Sequence, residues 1–315
     1  MKFTFKKALV TGGAGFIGSH LVDALVDGGC RVNVLDNLAS GKLSNLDQVK
    51  EYITFYKGDI QDQKILDKAI NGCEVIFHEA AVVSVTKTVK QPVESAMVNE
   101  IGALNVLDGA RRHGVKRVIL ASSSAVYGDS PELPKHESMT PKPQSPYAVQ
   151  KLSNEIYADL YSTLYGLGTV CLRYFNVYGP RQDPSSPYSG VISIFLTCAN
   201  EKTSCRIYGD GKQTRDFIFV KDVVQANLLA ANAMAPENKV FNTGTSKTTS
   251  INHLWQLISD ISGTRENPEY CEARSGDILE SAANINQISS ELNFKPEISF
   301  KNGLALTWKW YRNNN

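Results

Sequence analysis

The chain has 315 residues, 42% of them hydrophobic and 21% charged, with 33 Lys and Arg against 32 Asp and Glu for a formal charge of +1. That length suits two domains or one large fold with an appended lobe, and the composition excludes a disordered tail protein, a collagen-like chain and a disulfide miniprotein. A near-neutral chain has no overall electrostatic reason to bind nucleic acid or an anionic membrane, although a local basic pocket can still hold a small anion.

In chain order, Ala8–Val10 reads as a strand, followed by a glycine turn and a helix from about Ala14 to Val26. Further strands are expected at Arg31–Leu35, Ile53–Tyr56, Glu74–His78 and Arg117–Ala121, with one long helix from roughly Pro92 to His113 between the last two. Pro131, Pro134, Pro141 and Pro143 mark a surface loop. A helix follows over Pro146–Tyr165, then a sixth strand over Leu167–Arg173. Strand–helix alternation with short connections predicts an α/β fold, a Rossmann-type doubly wound parallel sheet covered on both faces. After Tyr174 the elements shorten. We read residues 1–174 as the domain built on this sheet, with possible returns later in the chain, and 175–315 as a smaller α/β lobe. The cysteines (Cys30, Cys73, Cys171, Cys198, Cys205 and Cys271) make no Cys-x-x-Cys pair and no zinc spacing, so reduced thiols and no metal are expected. No apolar run approaches the ~18 residues of a membrane span. The N-terminus has no apolar signal core, and cytoplasm is the expected compartment.

Gly12, Gly15 and Gly18 form a Gly-x-x-Gly-x-x-Gly loop between the first strand and the first helix. Gly12 permits the tight turn, Gly15 lets the backbone approach a pyrophosphate, and Gly18 lets helix and strand pack closely. The helix N-terminus offers free N–H donors to the phosphates. Asp36 ends the next strand, where a carboxylate can accept from both adenosine ribose hydroxyls and repels a 2′-phosphate, so NAD is favoured over NADP. Asp59 and Ile60 follow the third strand, where an adenine would lie.

Tyr147 and Lys151 are four apart on a predicted helix and therefore share a face. An ammonium beside a phenol favours the phenolate, which is how a tyrosine becomes a usable general base. Tyr208 and Lys212 repeat the spacing across Gly-Asp-Gly, where helical alignment fails. Ser122, Ser123 and Ser124 come directly after the fifth strand, at the end of the sheet that faces the ligand crevice.

Together with His78-Glu79-Ala80-Ala81, Asn99, Arg173-Tyr174-Phe175-Asn176-Val177-Tyr178-Gly179-Pro180, Gly211–Ile218 and Arg274-Ser275-Gly276-Asp277, these residues resemble the extended short-chain dehydrogenase/reductase family, in its NAD-dependent nucleotide-sugar epimerase/dehydratase branch. The resemblance is nearly full length. It implies NAD held by Gly12, Gly15, Phe16, Ile17, Gly18, Asp36, Asn37, Ser40, Gly41, Asp59, Ile60, Ala80, Ala81, Asn99, Ser122, Tyr147, Lys151 and Tyr174. It implies catalysis by Tyr147 and Lys151 with Ser123 and Ser124. A UDP- or dTDP-sugar would be held by Ser84, Ser123, Ser124, Tyr147, Asn176, Val191, Tyr208, Arg215, Arg274, Asp277 and Ser281, with Arg215 and Arg274 on the diphosphate and Tyr208 near the base.

Family dehydratases carry acidic residues just after the catalytic Ser or Thr. Here Ser124 and Ala125 follow Ser123, so 4-epimerisation through a transient 4-keto sugar is expected over 4,6-dehydration. In the 4-epimerases that this chain resembles, the seventh residue after the Arg of Arg-x-Gly-Asp gates the sugar pocket. Here it is Ser281, small enough for a 2-N-acetyl group. UDP-GlcNAc/UDP-GalNAc interconversion is therefore expected, with some activity on UDP-Glc/UDP-Gal. One alternative is a UDP-glucuronate epimerase or decarboxylase, which needs a cation facing the C6 carboxylate, with Arg181 as candidate. Another is a non-catalytic NAD-binding sensor, against which the intact Tyr147/Lys151 pair speaks. The resemblance also implies a homodimer that pairs helices 92–113 and 146–165 into a four-helix bundle. His20, His113, His136 and His253 are expected to be structural or surface residues, and His78 to serve packing as readily as the cofactor.

Overall fold

The computed structural model describes residues 2–183, 190–233, 238–273 and 279–314. The chain opens with β1 (Lys7–Thr11), α1 (Phe16–Asp27), β2 (Arg31–Asp36), β3 (Ile53–Lys57), α2 (Gln63–Ile70) and β4 (Val75–His78). Next come α3 (Val85–Lys90), α4 (Pro92–Ala96), a π turn over Met97–Ile101, α5 (Gly102–Arg112), β5 (Arg117–Ser123), α6 (Pro146–Tyr165) and β6 (Gly168–Tyr174). The remainder carries β7 (Asn176–Tyr178), α7 (Val191–Glu201), β8 (Arg206–Tyr208), β9 (Thr214–Arg215), β10 (Phe217–Phe219), α8 (Val220–Asn232) and β11 (Lys239–Thr243). It ends with β12 (Thr249–Ser250), α9 (Ile251–Ser262), β13 (Glu269–Cys271), β14 (Glu280–Ser281), α10 (Asn286–Leu292) and α11 (Phe300–Asn314).

Seven strands form one parallel sheet in the order β11-β6-β5-β4-β1-β2-β3. The inner strands bury both faces, as their apolar runs require, while the edge strand β3 is only half-buried. In β1, Ala8 and Val10 pack on one side with Leu21, Val22 and Leu25 of α1 and Val223 and Ala226 of α8. Leu9 points the other way, into a cluster with Leu66 of α2, Val106 and Leu107 of α5 and Ala158 of α6. The strand order reverses between β1 and β4, which opens a crevice at the carboxyl ends of the strands. A third core, built on Phe195, Trp255, Leu304 and Trp308, holds the smaller lobe together. No helix among the described residues is long and apolar enough to cross a membrane.

Three local features depart from the sequence reading. The helix expected over 92–113 runs without a break but contains a full π turn, and α1 begins at Phe16, two residues later than its pattern. β5 extends through Ser122 and Ser123, so the serines are strand residues at the mouth of the crevice. The sequence reading allowed for later returns of the chain, and β11 is the edge strand of the sheet, beside β6.

Candidate active site

Gly12 has φ +69°, and a Cβ there would lie 2.7 Å from the Ala80 nitrogen, so the loop after β1 can lie against the loop after β4 only as glycine. A Cβ at Gly18 would run into the Gly12 carbonyl. α1 is entered through Gly15, with no side-chain cap on its first N–H groups. Those donors are left for an anion, and Gly15, Phe16, Ile17 and Gly18 line a cleft of about 550 Å³.

Asp36 ends β2 in the same cleft. Its Oδ2 accepts from the Ala14 N–H at 2.9 Å and its Oδ1 from the Leu38 N–H at 2.8 Å, which aims the carboxylate and leaves lone pairs on both oxygens for vicinal hydroxyls. Asn37 donates to Asp59 Oδ2 at 2.7 Å and braces the ends of β2 and β3 where Asp59 and Ile60 form the wall. Gly41 packs behind Asp36 and does not line the cleft, whereas Ser40 does. A glycine cradle, an uncapped helix end and a bidentate acceptor together fit NAD, and NAD is the cofactor.

α6 is set by local chemistry. Ser145 caps it by accepting from the Ala148 N–H at 3.2 Å, Pro146 stands in its first turn, and Gly166 closes it in the left-handed conformation. One face carries Tyr147 and Lys151 into the cleft. The Ser123 hydroxyl shares the cleft with the Tyr147 phenol and accepts from the Ala125 N–H at 3.2 Å. Lys151 Nζ donates to the Ala121 carbonyl at 2.6 Å and lies 5.8 Å from the centre of the Tyr147 ring. Burial lowers the Lys151 amine to about 8, against the pull of Glu79. Burial also pushes the Tyr147 phenol up to about 12, although the neighbouring Ser123 hydroxyl works the other way. The sequence reading expected a phenol made acidic by its ammonium. In the structure the loss of water around the phenolate is the largest influence on this group.

Ser122 Oγ donates to Glu155 Oε1 at 2.5 Å, and Glu155 is paired with Arg173 at 2.7 Å in a buried bridge that also reaches Tyr127. Asn99 does not line the cleft. The π turn swings it inward, where Oδ1 accepts from the Val82 N–H at 2.7 Å and Nδ2 donates to the Val82 carbonyl at 3.0 Å, fixing the Ala80–Val83 wall. Ser84 caps α3 and Ser124 sits in the short turn after β5, both outside the cleft lining. His78 is buried and bonds Thr11 Oγ1 through Nδ1 at 2.8 Å, a packing role.

In the lobe, Ser281 pairs in register with Arg215. Asn176 donates to the Asp216 carbonyl from its backbone at 3.1 Å and its side chain at 2.9 Å. Asn176 and Val191 share a small cavity of about 50 Å³ next to the main cleft. Tyr208 ends β8. Arg274 and Asp277 lie outside the described residues. Several cleft residues were not among the expected cofactor or sugar contacts, Glu79 and Arg181 among them. Glu79 was legible only as a motif letter, and Arg181, weighed as a carboxylate binder, pairs with Asp23 of α1 at 2.7 Å.

A family model described as the NAD-dependent epimerase/dehydratase family matches residues 8–244. A putative UDP-glucose 4-epimerase of Methanocaldococcus jannaschii is 42% identical over 310 residues, 98% of this chain and 99% of that protein. Two solved structures are close in shape. The UDP-N-acetylglucosamine 4-epimerase of Methanobrevibacter ruminantium, in complex with UDP-N-acetylmuramic acid, has a TM-score of 0.95 at 42% identity and covers 100% of both chains. The UDP-glucose 4-epimerase of Thermotoga maritima, with UDP-glucose, has a TM-score of 0.93 at 40% identity over 98% of this chain and 99% of that one.

Proposed function

Because this chain belongs to the NAD-dependent epimerase/dehydratase family, we propose that it inverts C4 of a UDP-N-acetylhexosamine, interconverting UDP-GlcNAc and UDP-GalNAc while also accepting UDP-Glc and UDP-Gal. The family and its relatives support NAD-dependent 4-epimerisation of a UDP-sugar, and the N-acetyl preference rests on Ser281. The observation that carries the reading is the grouping of Tyr147, Ser123 and Lys151 in one cleft at the mouth of β5, with the Lys151 amine held on the Ala121 carbonyl.

Tyr147 accepts the proton of the sugar O4, and Ser123 holds the same oxygen in line with the phenol. NAD, when bound, exchanges a hydride with C4, and its oxidised ring brings the positive charge that a buried phenolate needs. Once the 4-keto sugar had turned about its diphosphate linkage, the hydride would return to the opposite face of C4 while Tyr147 gives the proton back to O4. The residue after Ser123 is Ser124, not a carboxylic acid, so elimination of water has no acid at that position. A C6 carboxylate is disfavoured as well, because the Arg181 guanidinium is held by Asp23 and the acidic Asp183 lines the cleft. Ser281, beside Arg215, is the small residue that leaves room for the N-acetyl group. A homodimer is proposed through the outer face of α4, the π turn and α6, which is apolar and exposed.

Tyr147→Phe tests the chemistry. Turnover should fall by about 10²–10⁴-fold with NAD retained, the range of a lost general acid–base group. Substrate deuterated at C4 should give epimer that keeps its deuterium. Undiminished turnover, or washout into water, would overturn the reading.

A further inference from the structure

The reaction just described leaves unused an acidic side chain that stands with its catalytic pair. Among the acids lining the cleft, Asp36 and Asp59 are at the ends of β2 and β3, and Asp183 pairs with Lys42. Glu79 stands with Tyr147, Lys151 and Tyr174 in the cleft wall. It directly follows β4, and its N–H donates to the Thr11 carbonyl of β1 at 3.1 Å, which places it at the reversal point of the sheet. Its Oε1 accepts from the Tyr174 hydroxyl at 2.8 Å, and that hydroxyl accepts from Asn227 Nδ2 of α8 at 2.7 Å. The proton of Tyr174 is thereby committed to Glu79, and the carboxyl is anchored from two further elements.

We propose that Glu79 is a positioning residue whose charge sets how readily Tyr147 gives up its proton. This rests on the acid–base reading of Tyr147. The titratable groups facing Glu79 are Lys151 and Tyr147 from α6 and Tyr174 from β6. His78, its neighbour on β4, is bonded to Thr11, and Glu155, which also faces Lys151, is neutralised by Arg173. An ionised Glu79 cancels the ammonium and repels a phenolate. A neutral Glu79 leaves the ammonium acting on Tyr147 undiminished. Burial raises this carboxyl to about 7, against the Tyr174 bond and Lys151, so both forms are populated near neutrality. As the pH falls through that value Glu79 takes a proton and Tyr147 becomes the stronger acid. As the pH rises the effect reverses.

Glu79→Gln removes the charge and keeps an oxygen for Tyr174. The test is a titration of holoenzyme labelled with carbon-13 at tyrosine Cζ, with the Tyr147 signal assigned by its loss in Tyr147→Phe. The midpoint of Tyr147 should move down by about one unit, roughly tenfold in its ionisation constant, and the acid limb of kcat should move with it while KM holds. Glu79→Leu, neutral but unable to bond Tyr174, should give the same displacement. An unmoved midpoint in Glu79→Gln, or a displacement in Glu79→Leu only, would overturn the proposal. Failure of the acid–base reading itself would show separately, as undiminished turnover in Tyr147→Phe.

Discussion

The neighbours of Ser281 fix what a larger side chain at this proposed gate could do. Ser281 lies opposite Arg215 on paired two-residue strands, and the fully buried Asp216 beside that arginine gathers the region. The Asp216 carboxylate accepts from the N–H groups of Thr245 (2.9 Å), Ser246 (3.0 Å) and Ala283 (3.1 Å), and its carbonyl accepts from Asn176. A residue at 281 therefore has a fixed backbone and little freedom to step aside. Ser281→Tyr should lower kcat/KM for UDP-GlcNAc by about tenfold or more while UDP-Glc changes much less, since overlap penalises only the bulkier sugar. Equal loss for both, in parallel assays, would remove Ser281 as the gate. At this scale the sequence was legible wherever chemistry was local. Gly12, Asp36 and Tyr147 announce themselves by spacing along one strand–turn–helix or one helical turn. The bond between Tyr174 and Glu79 joins residues 95 apart, and no short window of sequence contains it.

α6 is a helix with two employments. Lys151, Glu155 and Ala158 face inward, while Ile156, Leu160 and Leu164 recur every fourth residue on the outside, exposed at 55%, 43% and 64%. Val93, Met97 and Ile101 repeat that spacing from α4 through the π turn, at 70%, 45% and 42%. A stripe of this kind on two adjacent helices marks an interface, and a second copy of the chain is the proposed occupant. Ile156→Glu combined with Leu160→Glu should halve the mass measured by sedimentation or light scattering without touching the Tyr147 face. An unchanged mass would place the interface elsewhere. The bounds of α6 could be read from Ser145, Pro146 and Gly166. The π turn could not, because its cause is a distant demand: Asn99 must reach both backbone groups of Val82.

The whole molecule is held across its two parts by contacts between α1 and the stretch after β7. His20 bonds the Pro180 carbonyl at 2.9 Å, and Arg181 pairs with Asp23 one turn further along the helix. Burial lowers the His20 imidazole to about 4 and that of His78 to about 3, from the usual 6.5. A folded value below the unfolded one means that the unfolded chain takes these protons first. Their contribution to stability is therefore complete above pH 6.5 and is lost as the pH falls through the folded values. Buried carboxyls raised above their usual range, Glu79 and Glu137 among them, oppose the loss, so the informative quantity is a difference of slopes. In melting scans between pH 6.5 and 4, His20→Gln should lose less thermal stability than the parent. Identical slopes would mean that His20 protonates freely in the folded protein. The return of the chain at β11 has its own consequence for how this protein can be rebuilt. The strand that carries Tyr174 is flanked on one side by a segment encoded some seventy residues later. A smaller lobe transplanted from a relative would need two seams cut through a continuous sheet, so this protein is more readily altered by changing individual cleft residues than by exchanging cassettes.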